Sequence, residues 1–313
     1  MSQPKLHPRN RHLAIKGASY DFDLLCKANP ELSPYVFKND FGNVSIDFAN
    51  DIAVKELNRA LLLAFYGLDF WDLPNQFLCP PVPGRVDYVH YLADLIQSST
   101  GISSPKDKRV KGLDVGTGAN LIYPIVGSYE YDWSFVGSDI DKISINCAKQ
   151  IIQFNPRLRS KLKTRMQTNS SDIFNGIIKQ SDRFTFSMCN PPFHASQHEA
   201  EQGTKRKNQN LSKHKPATND KLNFGGRSNE LWCPGGERQF VSTMIEQSRE
   251  FKEQVLWFTS LISKKESLPT IYKELNKVKA TKVETIKMAQ GNKISRFVAW
   301  SFQTEEQMLS WFD

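Results

Sequence analysis

Apolar residues recur at helical spacing in Asp51-Ile-Ala-Val-Lys-Glu-Leu-Asn-Arg-Ala-Leu-Leu-Leu-Ala-Phe65, which predicts a helix with Asn50 or Asp51 as its N-cap. The following Leu78-Cys-Pro-Pro-Val-Pro-Gly-Arg85 cannot be regular, because each proline removes an amide donor and fixes φ. A second helix is predicted from about Val86 to Gln97, and the polar stretch Ser98 to Lys108 reads as a linker. Beyond it the pattern changes. Val110-Lys-Gly-Leu-Asp-Val115, Trp133-Ser-Phe-Val-Gly-Ser-Asp139, Arg183-Phe-Thr-Phe-Ser-Met-Cys189, Gln254 to Ser260 and Lys293 to Phe302 read as strands, with a helix from Lys142 to Phe154. Strands alternating with helices predict an α/β fold with a doubly wound sheet.

Two segments fall outside this pattern. Residues 1–16 carry Lys5, Arg9, Arg11 and Lys16 with no acid, and read as a flexible basic arm. From Ala195 to Pro234 the chain is polar without sustained apolar period and holds Lys205, Arg206, Lys207, Lys213, Lys215 and Lys221. An insert of this length within a compact domain is usually functional or disordered. The expected organisation is an arm (1–16), a helical N-terminal region (17–100), and an α/β domain (101–313) interrupted by the basic insert 195–234.

Composition narrows the reading. The chain has 313 residues, 39% of them hydrophobic, enough for a substantial core. Lys and Arg outnumber Asp and Glu by 41 to 33, a net +8 that favours a polyanionic partner. Five widely spaced cysteines with no C-x-x-C argue against a disulfide framework or a zinc site, and no metal is expected. No apolar run reaches a membrane span, and Met1 to Lys16 has no signal-peptide core, so a cytoplasmic location is expected.

The first chemical motif is Leu113-Asp114-Val115-Gly116-Thr117-Gly118-Ala119-Asn120, between a strand and a helix. Its glycines allow a tight turn and close approach of a ligand to the backbone. Asp139, ending the next strand, can accept two hydrogen bonds from a ribose diol. A dinucleotide fingerprint would place a third glycine at position 121, where this chain has Leu. D-x-G-x-G followed by an acid after the second strand suits S-adenosylmethionine, which has no pyrophosphate.

The second motif is Asn190-Pro191-Pro192-Phe193, at the C-terminal edge of a strand. The N6 amine of adenine is a poor nucleophile because its lone pair is delocalised into the ring. Two acceptors, the Asn190 side-chain carbonyl and the Pro191 backbone carbonyl, would hold both N–H bonds and favour a pyramidal nitrogen aimed at a methyl donor. Pro191 and Pro192 fix the loop, and Phe193 offers a face for stacking on the base.

At these residues the chain resembles the bacterial 23S ribosomal RNA adenine-N6 methyltransferases named for adenine 1618, and their eukaryotic relatives that methylate small nuclear and messenger RNA. The likeness rests on Pro81-Val-Pro-Gly-Arg-Val-Asp-Tyr-Val-His-Tyr, Leu113-Asp-Val-Gly-Thr-Gly-Ala-Asn-Leu-Ile-Tyr-Pro, Met188-Cys-Asn-Pro-Pro-Phe-His, Gly235-Gly-Glu and Arg296-Phe-Val-Ala-Trp-Ser-Phe. It implies a Rossmann-like class I methyltransferase domain (101–313) with a seven-stranded sheet, S-adenosylmethionine as cofactor and large-subunit ribosomal RNA as substrate, whether naked or in an assembly intermediate; the helical region 17–100 is expected to bind RNA, and a monomer is the default expectation. It implies that Arg85 holds the methionine carboxylate, that Asp114, Gly116, Thr117 and Gly118 form the cofactor turn, and that Asp139 binds the ribose. Asp172 would bond the cofactor's adenine amine or, alternatively, serve as a cap or turn residue. His194 would either contact RNA, support the loop, or simply be packed.

Rival readings are glutamine methylation in a protein, DNA adenine methylation, and a non-catalytic RNA-binding factor. The basic arm (Lys5, Arg9, Arg11, Lys16) and the insert (Lys205, Arg206, Lys207, Lys213, Lys215) favour RNA, through phosphate contacts.

Overall fold

The computed structural model describes residues 6–12, 20–75, 77, 79, 81–199, 231–290 and 293–313. The chain enters through helix α1 (Phe22–Ala28), a 3-10 turn, and a small antiparallel hairpin of β1 (Val36–Lys38) and β2 (Val44–Ile46). Helix α2 (Asp51–Tyr66) follows, and Asn50 is its N-cap, accepting from the amides of Ile52 and Ala53 at 3.0 and 3.2 Å. Helix α3 spans Val82–Thr100.

The remaining elements build the sheet. They are β3 (Lys111–Val115), α4 (Ile122–Tyr131), β4 (Ser134–Asp139), α5 (Lys142–Phe154), α6 (Pro156–Arg159), β5 (Leu162–Met166) and β6 (Phe184–Cys189). After the insert come α7 (Gly236–Ser248), β7 (Val255–Leu261), α8 (Leu268–Lys277), β8 (Lys282–Gln290), β9 (Lys293–Ser301) and α9 (Glu305–Leu309). The seven strands lie in the order β5-β4-β3-β6-β7-β9-β8. The first five are parallel, and β9 runs antiparallel to both its neighbours. Strands β6 and β7 are buried along their whole length, as central parallel strands covered on both faces must be. The edges differ: β5 is Leu-Lys-Thr-Arg-Met, and β8 carries Lys282, Glu284 and Lys287, charges that guard open edges against pairing with other chains. Strand order reverses beside β3, so the crevice at the C-terminal ends of β3, β4 and β6 is where this architecture holds a ligand.

Three expectations are corrected. Helix α3 begins at Val82, four residues early, because Pro83 sits in its first turn, where a missing amide costs no hydrogen bond. It also runs to Thr100 and stops at Gly101 with φ +67°, so the linker starts later than Ser98. Second, α3 belongs with the sheet: the Tyr88 hydroxyl pairs with Thr259 at 2.7 Å, and Trp257 Nε1 donates to Ser99 at 2.9 Å. One apolar core joins Leu57, Trp71 and Val89 to Trp133, Phe186 and Met308, so no seam lies at residue 100.

Third, the described part of the basic arm is fastened. His7 bonds Asp94 at 2.8 Å, Asn10 donates to Asp87 at 2.6 Å, and His12 meets the Tyr66 hydroxyl at 2.9 Å. Arg9 pairs with Asp94. Arg11 donates to Glu130 at 2.6 Å and lies over the rings of Tyr66 and Tyr129, at 5.3 and 5.0 Å. Burial and neighbouring positive charge hold His12 down to about 4 and His90 to about 3, so both rings stay neutral at physiological pH.

Candidate active site

A cavity of about 340 Å³ opens at the predicted crevice. Its floor is the turn after β3. Gly116 and Gly118 have φ of +71° and +64°, the left-handed region that a β-carbon disfavours. The amides of Gly116 and Thr117 both donate to the Ser138 carbonyl at 2.9 Å, tying the turn to β4. A β-carbon on Gly116 would meet nothing within 4 Å, so that side of the turn faces open space. Leu121, at φ +53°, caps α4 where a dinucleotide turn would have glycine.

Asp139 lies on the rim at the end of β4. One carboxylate oxygen accepts from the Gly118 amide and the other from the Asp141 amide, both at 2.9 Å. Burial raises its pKa despite these bonds. Arg85, from the first turn of α3, reaches the same cavity, and its Nη1 donates to the Tyr123 hydroxyl at 3.0 Å. Its Nε is buried with no partner among the described residues. Asn190, Pro192 and Phe193 also line the cavity. The Asn190 Oδ1 is likewise buried without a partner, a state that costs about 1–3 kcal/mol unless a ligand donor satisfies it. Pro191 is buried and does not line the cavity.

Comparison with known proteins gives this geometry a relationship. The profile of an RNA methyltransferase family matches residues 1–304. The chain belongs to this RNA methyltransferase family. It is 52% identical to the ribosomal RNA large subunit methyltransferase F of Flavobacterium johnsoniae, covering 98% of this chain and 96% of that protein. The protein of the same name from Shewanella loihica is 52% identical, covering 98% and 81%. Among solved structures, the human METTL16 catalytic domain in complex with a MAT2A 3'UTR hairpin superposes with TM-score 0.77 at 29% identity, over 96% of this chain and 98% of that one. The N-terminal domain of human METTL16 in complex with SAH matches with TM-score 0.74 at 28% identity, over 96% and 100%.

In this methyltransferase the structure brings together Arg85, Gly116, Thr117, Gly118, Asp139, Asp172, Asn190, Pro192 and Phe193. Asp114 is the exception among the turn residues. It lies beneath the turn, 1% exposed, and does not line the cavity. Its Oδ2 accepts from Thr117 Oγ1 at 2.7 Å, so Asp114 shapes the turn from below rather than facing a ligand. Burial and the nearby Asp139 charge push its pKa up to about 7 against the Thr117 hydrogen bond. Asp172 lines the cavity and also knits its own loop, accepting from Asn169 Nδ2 at 2.7 Å.

His194 has a backbone role. Its amide donates to the Leu231 carbonyl and its carbonyl accepts from Cys233, both at 3.1 Å, in a parallel bridge with Trp232. The two stems of the insert are thereby paired beside Phe193. This brings Trp232, Cys233 and Pro234 to the cavity, a contribution that sequence reasoning missed. Only their place just before Gly235-Gly-Glu could have signalled it. Gly236 packs close there: a β-carbon would sit 3.1 Å from the Ala195 amide nitrogen. Glu237 anchors the start of α7, accepting from the Ser263 amide at 2.6 Å and the Ser267 hydroxyl at 3.0 Å.

Arg9 and Arg11 make the intramolecular bonds described above, whereas Lys5, Lys16, Lys205, Arg206, Lys207, Lys213, Lys215 and Lys221 lie outside the described residues. No group of three or more His, Cys, Asp or Glu among the described residues is placed to hold a metal ion. No helix there is long and apolar enough to cross a membrane.

Proposed function

We propose that this chain transfers the methyl group of S-adenosylmethionine to N6 of one adenine in large-subunit ribosomal RNA, the adenine for which its bacterial relatives are named. The buried Oδ1 of Asn190 carries the reading: an acceptor with no donor among the described residues, on a cavity that the glycine turn and Asp139 also line.

The residues present fit the cofactor. Open space beside Gly116 admits a ligand against the backbone, and Asp139 has lone pairs to accept a ribose diol. Arg85 has a buried Nε, without a partner among the described residues, that suits a carboxylate. Bound there, S-adenosylmethionine would supply an electrophilic methyl on a sulfonium. Asn190 would accept one N6 hydrogen and turn the nitrogen lone pair toward that methyl; the Pro191 carbonyl, buried behind the cavity wall, would accept the other only after the loop shifts on entry of the base. Phe193 would stack on the base, and the N–H lost after transfer would leave its proton to water. Catalysis is then orientation and placement of dipoles, with no strong base required.

The RNA substrate rests on the family and on the insert. Its stems leave and rejoin the fold at His194 and Trp232, on the rim next to Phe193, so Lys205 to Lys215 belong to a segment tethered where RNA would enter. Lys5 and Lys16 are proposed phosphate contacts on the same chemistry. The protein is proposed to act in the cytoplasm as a monomer. The test is to map N6-methyladenosine in ribosomal RNA from cells with and without the gene. Loss of one modified adenine is expected; an unchanged map would overturn the reading.

A further inference from the structure

The N-terminal unit of α1, the hairpin and α2 has a surface unlike the rest of the chain. Residues 20–81 hold four Lys or Arg against nine Asp or Glu, a balance of −5 within a chain of net +8. The same unit exposes large apolar side chains. Phe41, at the hairpin tip, is 88% exposed, and Leu24, Phe37, Phe48 and Ile52 are all more than 40% exposed. The hairpin register explains part of this. Phe37 pairs with Ser45 on the outer face, while Val36 and Ile46 turn into the core. Asp40 precedes Phe41, and Asp47 and Asp51 bracket Phe48, so three acids face one cation, Lys38, over residues 36–52.

Exposed aromatics of this kind mark an interaction site. Their charge setting selects the partner. Charges are screened over about 8 Å at physiological ionic strength, so a ligand at the hairpin meets the local acids and not the basic remainder of the chain. A phosphate backbone would be repelled there, which argues against the RNA-binding role expected for this region. We infer that the α1–hairpin–α2 surface docks a Lys- and Arg-rich polypeptide, whose cations face Asp23 and Asp40 and whose apolar groups cover Phe37 and Phe41. The inference builds on the ribosomal RNA reading, because basic proteins clothe that RNA as a particle assembles. The docking would select a protein-bearing particle over bare RNA.

The test combines Phe41→Ser with Asp40→Lys, both on the exposed hairpin tip, where neither change disturbs the core. Affinity is measured for protein-free 23S ribosomal RNA and for large-subunit particles purified from cells lacking the gene. The expected result is unchanged affinity for bare RNA and about tenfold weaker binding to the particle. A second arm places a photo-crosslinking phenylalanine analogue at position 41 in the full chain bound to that particle. Cross-links to a basic particle protein are expected. Equal loss on both substrates, or cross-links to RNA or to a second copy of the chain, would overturn the inference, as would no loss on the particle. If the wild-type protein forms no N6-methyladenosine in either substrate, the ribosomal reading fails separately, and the cross-link at position 41 still decides the docking surface.

Discussion

Asp114→Asn isolates the electrostatics of the cofactor turn. The native carboxyl is buried, with Oδ2 bonded to Thr117 and Oδ1 unpaired among the described residues, and its pKa lies at about 7 instead of 3.8. A shift of about three units corresponds to ~4 kcal/mol, at 1.36 kcal/mol per unit. The sign follows from the raised value. Between about pH 4 and 7 the folded state holds a proton that the unfolded chain releases, so stability from this group is fully present below its unfolded pKa. It is lost as pH rises through about 7. Asparagine keeps an acceptor for Thr117 and cannot ionise. Urea unfolding of both proteins from pH 4 to pH 8.5 checks this. The stability of Asp114→Asn relative to wild type should grow by about 3–4 kcal/mol across that range, with most of the change between about pH 4 and 7 and a plateau above it. Asp139, also raised, is present in both proteins and largely cancels from the difference. Parallel pH profiles would refute the argument and show that water or local rearrangement solvates the Asp114 carboxylate.

The remaining expectations concern the reaction. Asn190→Ala should lower kcat by about 10²–10³, the scale of losing an oriented dipole at the reacting centre, with S-adenosylmethionine affinity nearly unchanged by calorimetry. Near-normal turnover would remove Asn190 from its role. Phe193→Ala should raise KM for RNA while Phe193→Tyr retains most activity, because stacking requires an aromatic face; Leu performing as well as Tyr in the same steady-state assay would make Phe193 a packing residue. Arg85→Ala should weaken cofactor binding by at least tenfold, and unchanged binding in calorimetry would reassign the arginine. Gly116→Val should abolish cofactor binding, since the side chain would occupy the open side of the turn and strain its φ of +71°; binding at wild-type affinity would count against that placement.

The parts legible in the sequence are those whose signal is local. β3, β4, β6 and β7 are buried parallel strands and read as apolar runs, whereas β5 and β8 are charged edges whose Lys, Arg and Glu hid them. The start of α3 was obscured because Pro83 reads as a breaker in sequence but is harmless in a first turn. The arm read as flexible because its partners Asp87, Asp94 and Glu130 are distant in sequence. In the site, the glycine turn and Asn190 to Phe193 are contiguous motifs and were readable. Trp232 and Cys233 reach the cavity only through the pairing of the insert stems at His194, a tertiary contact with no periodic trace.

The most direct measurement supplies the purified protein with S-adenosylmethionine carrying a deuterated methyl group, together with large-subunit ribosomal RNA or particles from cells lacking the gene. The RNA is then digested, and the label is located by mass spectrometry. The expected result is deuterated methyl on N6 of a single adenosine, formed at least about a hundredfold more slowly with Asn190→Ala. Label on another atom, on another nucleoside or on protein, or no transfer to either substrate, would contradict the assignment.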